Sequence, residues 1–308
     1  MLRKVFLGLS IVVMCGMIFS GVSFAGSGAV LKSFEGDVTV KAAGSDKWAP
    51  ATANMTLNSG DEIQTKTGTA EVEYADKSVL KIKNDTLTTL SVIKDEKSGQ
   101  LTRKIKLIMG DMWAQITPGT PTKTEFETPS AVAAVKGTIL SLSVDANGVA
   151  QIATTEGMVT LAMGSTYTVN LGDGQSVQVT ANPDGGYTIS SIAGDVTVNV
   201  ADGSTVEINA GSGFKGDEGG ASINVISGTA TVTPKDGEPQ TVQAGNGVNV
   251  SGTGVVTPQE PNSGQADSEN NSGKDVNPSN NAIVDPYVAS TVEEQKKVGT
   301  NDISQSKP

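Results

Sequence analysis

The chain has 308 residues, with 36 Gly, 12 Pro, no His, one Cys and a formal net charge of −11. Without histidine there is no Ser-His-Asp or Cys-His nucleophile system and no His-ligated metal. The negative charge and the 4 % aromatic content argue against a nucleic-acid partner, an anionic membrane surface and base stacking.

Residues 1–25 read as an export signal. Arg3 and Lys4 form the positive start, Val5 to Phe19 the apolar stretch, and Ser23-Phe24-Ala25 a small-x-small cleavage site. Gly8, Ser10, Gly16 and Ser20 interrupt the stretch, which argues against a membrane anchor. Lipidation at Cys15 is the alternative, but Met14 is large where a small residue is expected. Cleavage after Ala25 removes the sole cysteine, so no disulfide is expected in the mature chain.

From about Ala29 to Ser251 the apolar period is two, which predicts strands throughout. Val38 and Val40 alternate with polar neighbours, as do Ala70, Val72 and Tyr74, and then Leu80 and Ile82. The last two sets predict a hairpin turning near Asp76-Lys77, with Glu73 opposite Lys81 and Glu71 opposite Lys83. Two acids on one strand face also admit a glycosidase pair, but lysines opposite them give a plainer account. Trp48, Tyr74 and Trp113 are expected to pack the core.

Three chemical motifs are matched in letters only. Ser91-Val92-Ile93-Lys94, with Lys66-Thr67-Gly68 and Ser222-Ile223-Asn224, has the parts of a penicillin-binding site in the wrong order, and its serine lies on a predicted strand. Gly211 to Gly216 spells a dinucleotide fingerprint, but no helix pattern follows to hold a pyrophosphate. The Asp-Gly pairs at 202–203 and 236–237 read as turns, because no Asp-x-Asx-x-Asx-Gly run offers calcium its oxygens. No cofactor or metal is expected.

The second half repeats. Gly157-Met158-Val159-Thr160-Leu161, Gly194-Asp195-Val196-Thr197-Val198 and Gly228-Thr229-Ala230-Thr231-Val232 align, each followed by a second strand and a Gly bend. A unit of two to four strands cannot bury its own face, so stacked units sharing a core are expected. Residues 257–308 are poor in apolar side chains and are expected to be a disordered tail, with one apolar island at Ile283 to Val288.

An ordered series of segments completes the reading. It runs Glu35-Gly36-Asp37-Val38-Thr39-Val40, Trp48-Ala49-Pro50-Ala51, Leu57-Asn58-Ser59-Gly60-Asp61-Glu62-Ile63-Gln64-Thr65, Ile105 to Ala114, and Phe126-Glu127-Thr128-Pro129-Ser130-Ala131 through Lys136-Gly137-Thr138. From about Val30 to Val179 the chain resembles the FecR domain family. The resemblance implies an all-β, non-catalytic envelope domain, a sandwich or roll. In the family's best-known members it is the periplasmic part of a transmembrane sensor that contacts an outer-membrane receptor and controls a sigma factor. Here a signal peptide stands where the cytoplasmic anti-sigma segment is expected, so only the binding module carries over.

Thr128, Pro129, Gly137 and Thr138 are the motif residues singled out. Thr128-Pro129 fits an extended segment entry and Gly137 a bulge or tight bend, so all four read as fold-defining rather than ligand-touching. The expected layout is a signal at 1–25, a FecR-like domain at 26–180, a β-repeat extension at 181–256 and the tail. The expected function is an exported, periplasmic or extracellular binding protein. Its partner is an envelope protein or glycan, with no nucleic acid and no membrane span after cleavage. The alternatives are a structural or matrix component built on the repeats, and a polysaccharide-active enzyme.

Overall fold

The computed structural model describes residues 28–250 and the backbone of 256–259. All regular structure in this range is β. Two sheets enclose one hydrophobic core that runs from Ala29 to Val250.

Sheet A runs, in spatial order, β4 (Met55–Leu57), β1 (Ala29–Glu35), β6 (Thr69–Tyr74), β7 (Val79–Ile82), the end of β9 (Leu101–Gln115), β12 (Ile139–Val144), β13 (Ala150–Glu156), β16 (Ser176–Ala181), β17 (Tyr187–Ala193), β20 (Gly213–Gly216), β21 (Ser222–Ser227), β24 (Gly247–Val250) and β25 (Val256–Gln259). Sheet B runs β3 (Trp48–Pro50), β2 (Val38–Lys41), β5 (Asp61–Thr65), β8 (Thr86–Lys94), the start of β9, β10 (Lys123–Glu127), β11 (Val132–Val135), β14 (Val159–Met163), β15 (Tyr167–Leu171), β18 (Val196–Val200), β19 (Thr205–Ile208), β22 (Thr229–Thr233) and β23 (Gln240–Gln243). Among the described residues the β9–β10 ladder is the one parallel pairing.

Alternation sets the faces. In β12, Leu140, Leu142 and Val144 are buried between Ser141 and Ser143; in β18, Val196, Val198 and Val200 are buried between Thr197 and Asn199. This is the period of a strand with one face on the core.

β9 belongs to both sheets. Residues up to Met109 pair with β8, residues 110–115 pair with β12, and 112–115 pair also with β7. The crossing falls at Gly110, whose φ is +96°. A Cβ there would stand 2.5 Å from Thr86 Cα and 2.7 Å from Asp85 O, so only glycine fits. The Thr86 hydroxyl pins the bend, accepting from the Asp111 amide at 3.0 Å and donating to its carbonyl at 3.1 Å.

From β10 onward, hairpins alternate between the sheets. Each passage between sheets lies at one rim and each hairpin turn at the other. Gly157, Gly194 and Gly228, the glycines of the sequence repeat, all stand at such passages with positive φ. The repeat unit is thus four strands, one hairpin in each sheet. At three passages before β9 the rims are exchanged. The passage at Gly36 lies against Thr67, Lys66 O accepts from the Asp85 amide, and Gly110 pairs with Val144 beside the β12–β13 turn. The bent β9 and its parallel neighbour are where the order inverts.

The hydrogen-bond ladders run without a break through position 180, which lies inside β16. Residues 257–259, placed in the tail by sequence, form part of β25. The signal at 1–25 and the remainder of the tail lie outside the described residues.

Three local expectations are corrected. Glu71, not Glu73, stands opposite Lys81, and Glu73 stands opposite Val79. The turn is a three-residue loop closed by Lys77 N–H to Tyr74 O and Tyr74 N–H to Ser78 O, both 2.9 Å, with Lys77 at φ +68°. A slip of two residues keeps Val72, Tyr74, Leu80 and Ile82 on the core, so the face was right and the charge pairing was not. Trp48 does not pack the core: it is 38 % exposed on the edge strand β3, with Lys41 Nζ 5.1 Å from its ring centre. Thr128 and Pro129 form the β10–β11 turn rather than an extended entry, because the Thr128 hydroxyl closes the loop on Ala131.

Candidate functional site

The most unusual chemistry in the core lies where β9 passes the β6–β7 turn. Arg103 shares the inward parity of Ile105 and Leu107, and its side chain is 6 % exposed. Its guanidinium carbon lies 3.7 Å from the centre of the Tyr74 ring, and Nη2 donates to Asp76 Oδ2 at 2.7 Å. The pair ties a turn of sheet A to a strand of sheet B. Burial draws the Asp76 carboxyl upward, but the bonds from Arg103 and the Ser78 amide outweigh it and hold it below the usual range. Burial raises the Tyr74 hydroxyl far above its ordinary value. Arg103 Nε and Nη1, Tyr74 OH and Thr124 Oγ1 have no hydrogen-bond partner among the described residues. Thr124 is the ladder neighbour of Arg103. Apart from the Asp76 carboxylate, which keeps 17 % exposure, the cluster is buried, and its evident work is cross-linking the sheets.

A second acid is more deeply buried and holds loop amides instead. Asp61, 3 % exposed, accepts the Ala43 amide at 2.9 Å and the Asn58 amide at 2.8 Å. It fixes the loop that leads into β5.

The four motif residues do not converge. Thr128 and Pro129 sit at the hairpin-turn rim. Gly137 and Thr138 sit at the passage rim, at the far end of β11. Thr138 is buried and donates to Met158 O at 2.9 Å, while its own carbonyl accepts from the Ile116 amide. Gly137 has φ +66°, and a Cβ there would meet Pro118 Cβ at 2.6 Å. Ser130, between the two pairs, donates to Val179 O at 3.0 Å and anchors the turn to sheet A.

Several further acids are engaged in plain ways. Glu73 pairs with Lys77 at 2.8 Å and Lys32 at 3.4 Å. Its hydrogen bond to Lys77 leads in lowering its pKa. Glu125 and Glu127, two acids on one face of β10, share Lys104 at 3.7 and 2.7 Å. Asp145, Asp184, Asp202 and Asp217 accept amides of their own turns. Among the described residues no group of three or more acids or cysteines is placed to hold a metal ion. Ser91 and Lys94 lie on β8 in sheet B and Ser222 on β21 in sheet A, and Gly213–Gly216 is strand β20 with no helix after it.

Sequence reasoning missed the Arg103 cluster, although a signal was present. Arg103 is the sole arginine after Arg3, and it falls on an inward position of an alternating strand.

Comparison with known proteins bears on this part of the chain. Residues 61–160 match the family described as FecR protein. No curated protein matches the chain. A candidate anti-sigma factor from Parabacteroides distasonis ATCC 8503, known from two crystal structures, aligns at 15 % identity over 42 % of this chain with a TM-score of 0.35. The alignment spans 59 % of that protein's own length. The TCP10 domain of Danio rerio CPAP, solved with a peptide of Danio rerio STIL, aligns at 12 % identity over 64 % of this chain and 97 % of its own, with a TM-score of 0.13. At these TM-scores neither likeness bears on the fold. The matched residues 61–160 contain Asp61, the Asp76–Arg103 pair, the bent strand β9 and all four motif residues, and this FecR-matching stretch is set inside a longer two-sheet body.

Proposed function

We propose that the protein is an exported, non-catalytic binding module of the cell envelope, with a FecR domain of sensor type lengthened by its own β stack. The carrying observation is the FecR match at 61–160, which brings a sensor or regulatory type of domain. The export-signal pattern at 1–25 supports an envelope location. The engagement of Glu73, Asp76, Glu125 and Glu127 in ion pairs, and of Asp145, Asp184, Asp202 and Asp217 in turns, supports a binding role over hydrolysis. The partner class that fits is an envelope protein or glycan. A structural role for the repeats is the second reading, favoured by the unbroken ladders from β14 to β25.

Fractionation of producing cells with mass spectrometry of the N-terminus tests the reading. An envelope or medium fraction beginning at Gly26 is expected. A chain beginning at Met1 and confined to the cytoplasm would overturn it.

A further inference from the structure

The two sheets end in four edge strands among the described residues, and three are guarded. β4 has three residues, β3 carries Pro50 and β25 carries Pro258. Short strands and prolines are how sheets refuse a further strand. β23, Gln240-Thr241-Val242-Gln243, has neither charge nor proline.

Its open side can be read from the ladder. Ala244 N–H donates to Gly228 O at 2.9 Å, which makes Gly228 and Ala244 a hydrogen-bonded pair. In an antiparallel ladder such pairs alternate, so Val242 and Gln240 bond toward β22, while Thr241 and Gln243 face outward. Gln243 O already accepts from the Asn246 amide at 3.1 Å and from Asn246 Nδ2 at 3.4 Å. The outward set is therefore Thr241 N–H and C=O, Gln243 N–H and, one step back, Pro239 C=O.

That set is complementary to itself. With a two-fold axis on Thr241, each Thr241 N–H meets the partner's Thr241 C=O. Each Gln243 N–H meets the partner's Pro239 C=O. The bond missing from such a pairing is the one proline cannot donate, and its acceptor, Gln243 O, is the carbonyl already occupied. We infer that β23 is a self-association edge, at which a second copy of this chain adds antiparallel to sheet B about Thr241. The stack ends as it is built, with each hairpin offering its outer edge to the next.

Sedimentation velocity of the full chain across a concentration series tests this, together with amide hydrogen exchange at Thr241 and Gln243. Reversible dimerisation is expected, with both amides exchanging more slowly as concentration rises. Thr241→Pro removes a donor that β22 does not use, and Thr241→Lys sets two like charges across the axis. Each is expected to weaken dimerisation by about tenfold or more with unchanged circular dichroism. A monomer at every concentration would overturn the inference. So would variants that dimerise like the parent, or amide protection independent of concentration, which would mean that another segment of the same chain covers the edge.

Discussion

Up to β13 the order of pairing is irregular, with β9 shared by both sheets; from β14 to β25 one unit, a hairpin in each sheet joined by a passage, recurs. In the FecR stretch β9 crosses from sheet B to sheet A, pairs with β7, β8, β10 and β12, and carries the buried arginine held by Asp76. In the stack, the passages turn on glycines, and the core is mostly Val and Ile, with Leu161, Met163, Leu171 and one aromatic group. There Tyr167 lies 6.2 Å from both Tyr187 and Phe214, and its hydroxyl donates to Asp217 O at 2.8 Å. The difference teaches how one sandwich serves two ends. The first part is specified by individual contacts, the β9 crossing and the Arg103–Asp76 pair. The second is specified by a repeated local unit, whose stability is a sum over neighbours.

Substitutions at single positions test this contrast. The largest effect is expected at the crossing. Gly110→Val combines left-handed strain with a collision against Thr86, and about 5 kcal/mol of destabilisation is expected in urea unfolding. In the stack, Phe214→Ala empties a fully buried position and should cost about 4 kcal/mol. Asp76→Ala leaves the Arg103 charge buried with Tyr74 alone. About 3 kcal/mol is expected, the low end for breaking a buried pair because Asp76 stays 17 % exposed.

Asp76 also sets a pH dependence with a definite sign. Its carboxyl is held below its unfolded value, so the stabilisation is complete above about pH 4 and is lost as pH falls through the lower folded value. Asp76→Asn should be less stable at neutral pH and show a flatter acid limb, read as the urea midpoint against pH. The smallest effect belongs to a stack passage. Gly211 has φ +81° but open space where a Cβ would go, so Gly211→Ala should cost only about 1 kcal/mol. A cost at Gly211 as large as at Gly110 would erase the distinction between the two halves.

Alternation made the strands and their inward faces legible, as at Val72, Tyr74, Leu80 and Ile82. It left the register open, because a slip of two residues preserves the face; only the left-handed Lys77 fixed it. The crossing in β9 had a trace in the sequence. Inward positions run Ile105 and Leu107 before Gly110, then Met112 and Ala114 after it, a change of parity at a glycine. The repeat glycines were legible as bends, but not as passages between two sheets, since a bend within one sheet uses the same residue. The motif residues were read as structural, yet their separation to opposite rims depends on β11 running the height of the sheet. Trp48 was misplaced because an aromatic beside a proline on an edge strand has no strand outside it to cover it.

The central claim is that the FecR stretch and the stack are one body, with a core continuous through position 160. Both tryptophans, Trp48 and Trp113, lie before that position. Tryptophan fluorescence therefore reports the first part alone, while circular dichroism reports the strands of both. The decisive measurement is urea unfolding of Phe214→Ala followed by both signals. The account predicts one coincident transition, with the tryptophan midpoint lowered together with the dichroism. A tryptophan transition left at the parent's midpoint, with the dichroism losing a separate earlier step, would contradict it.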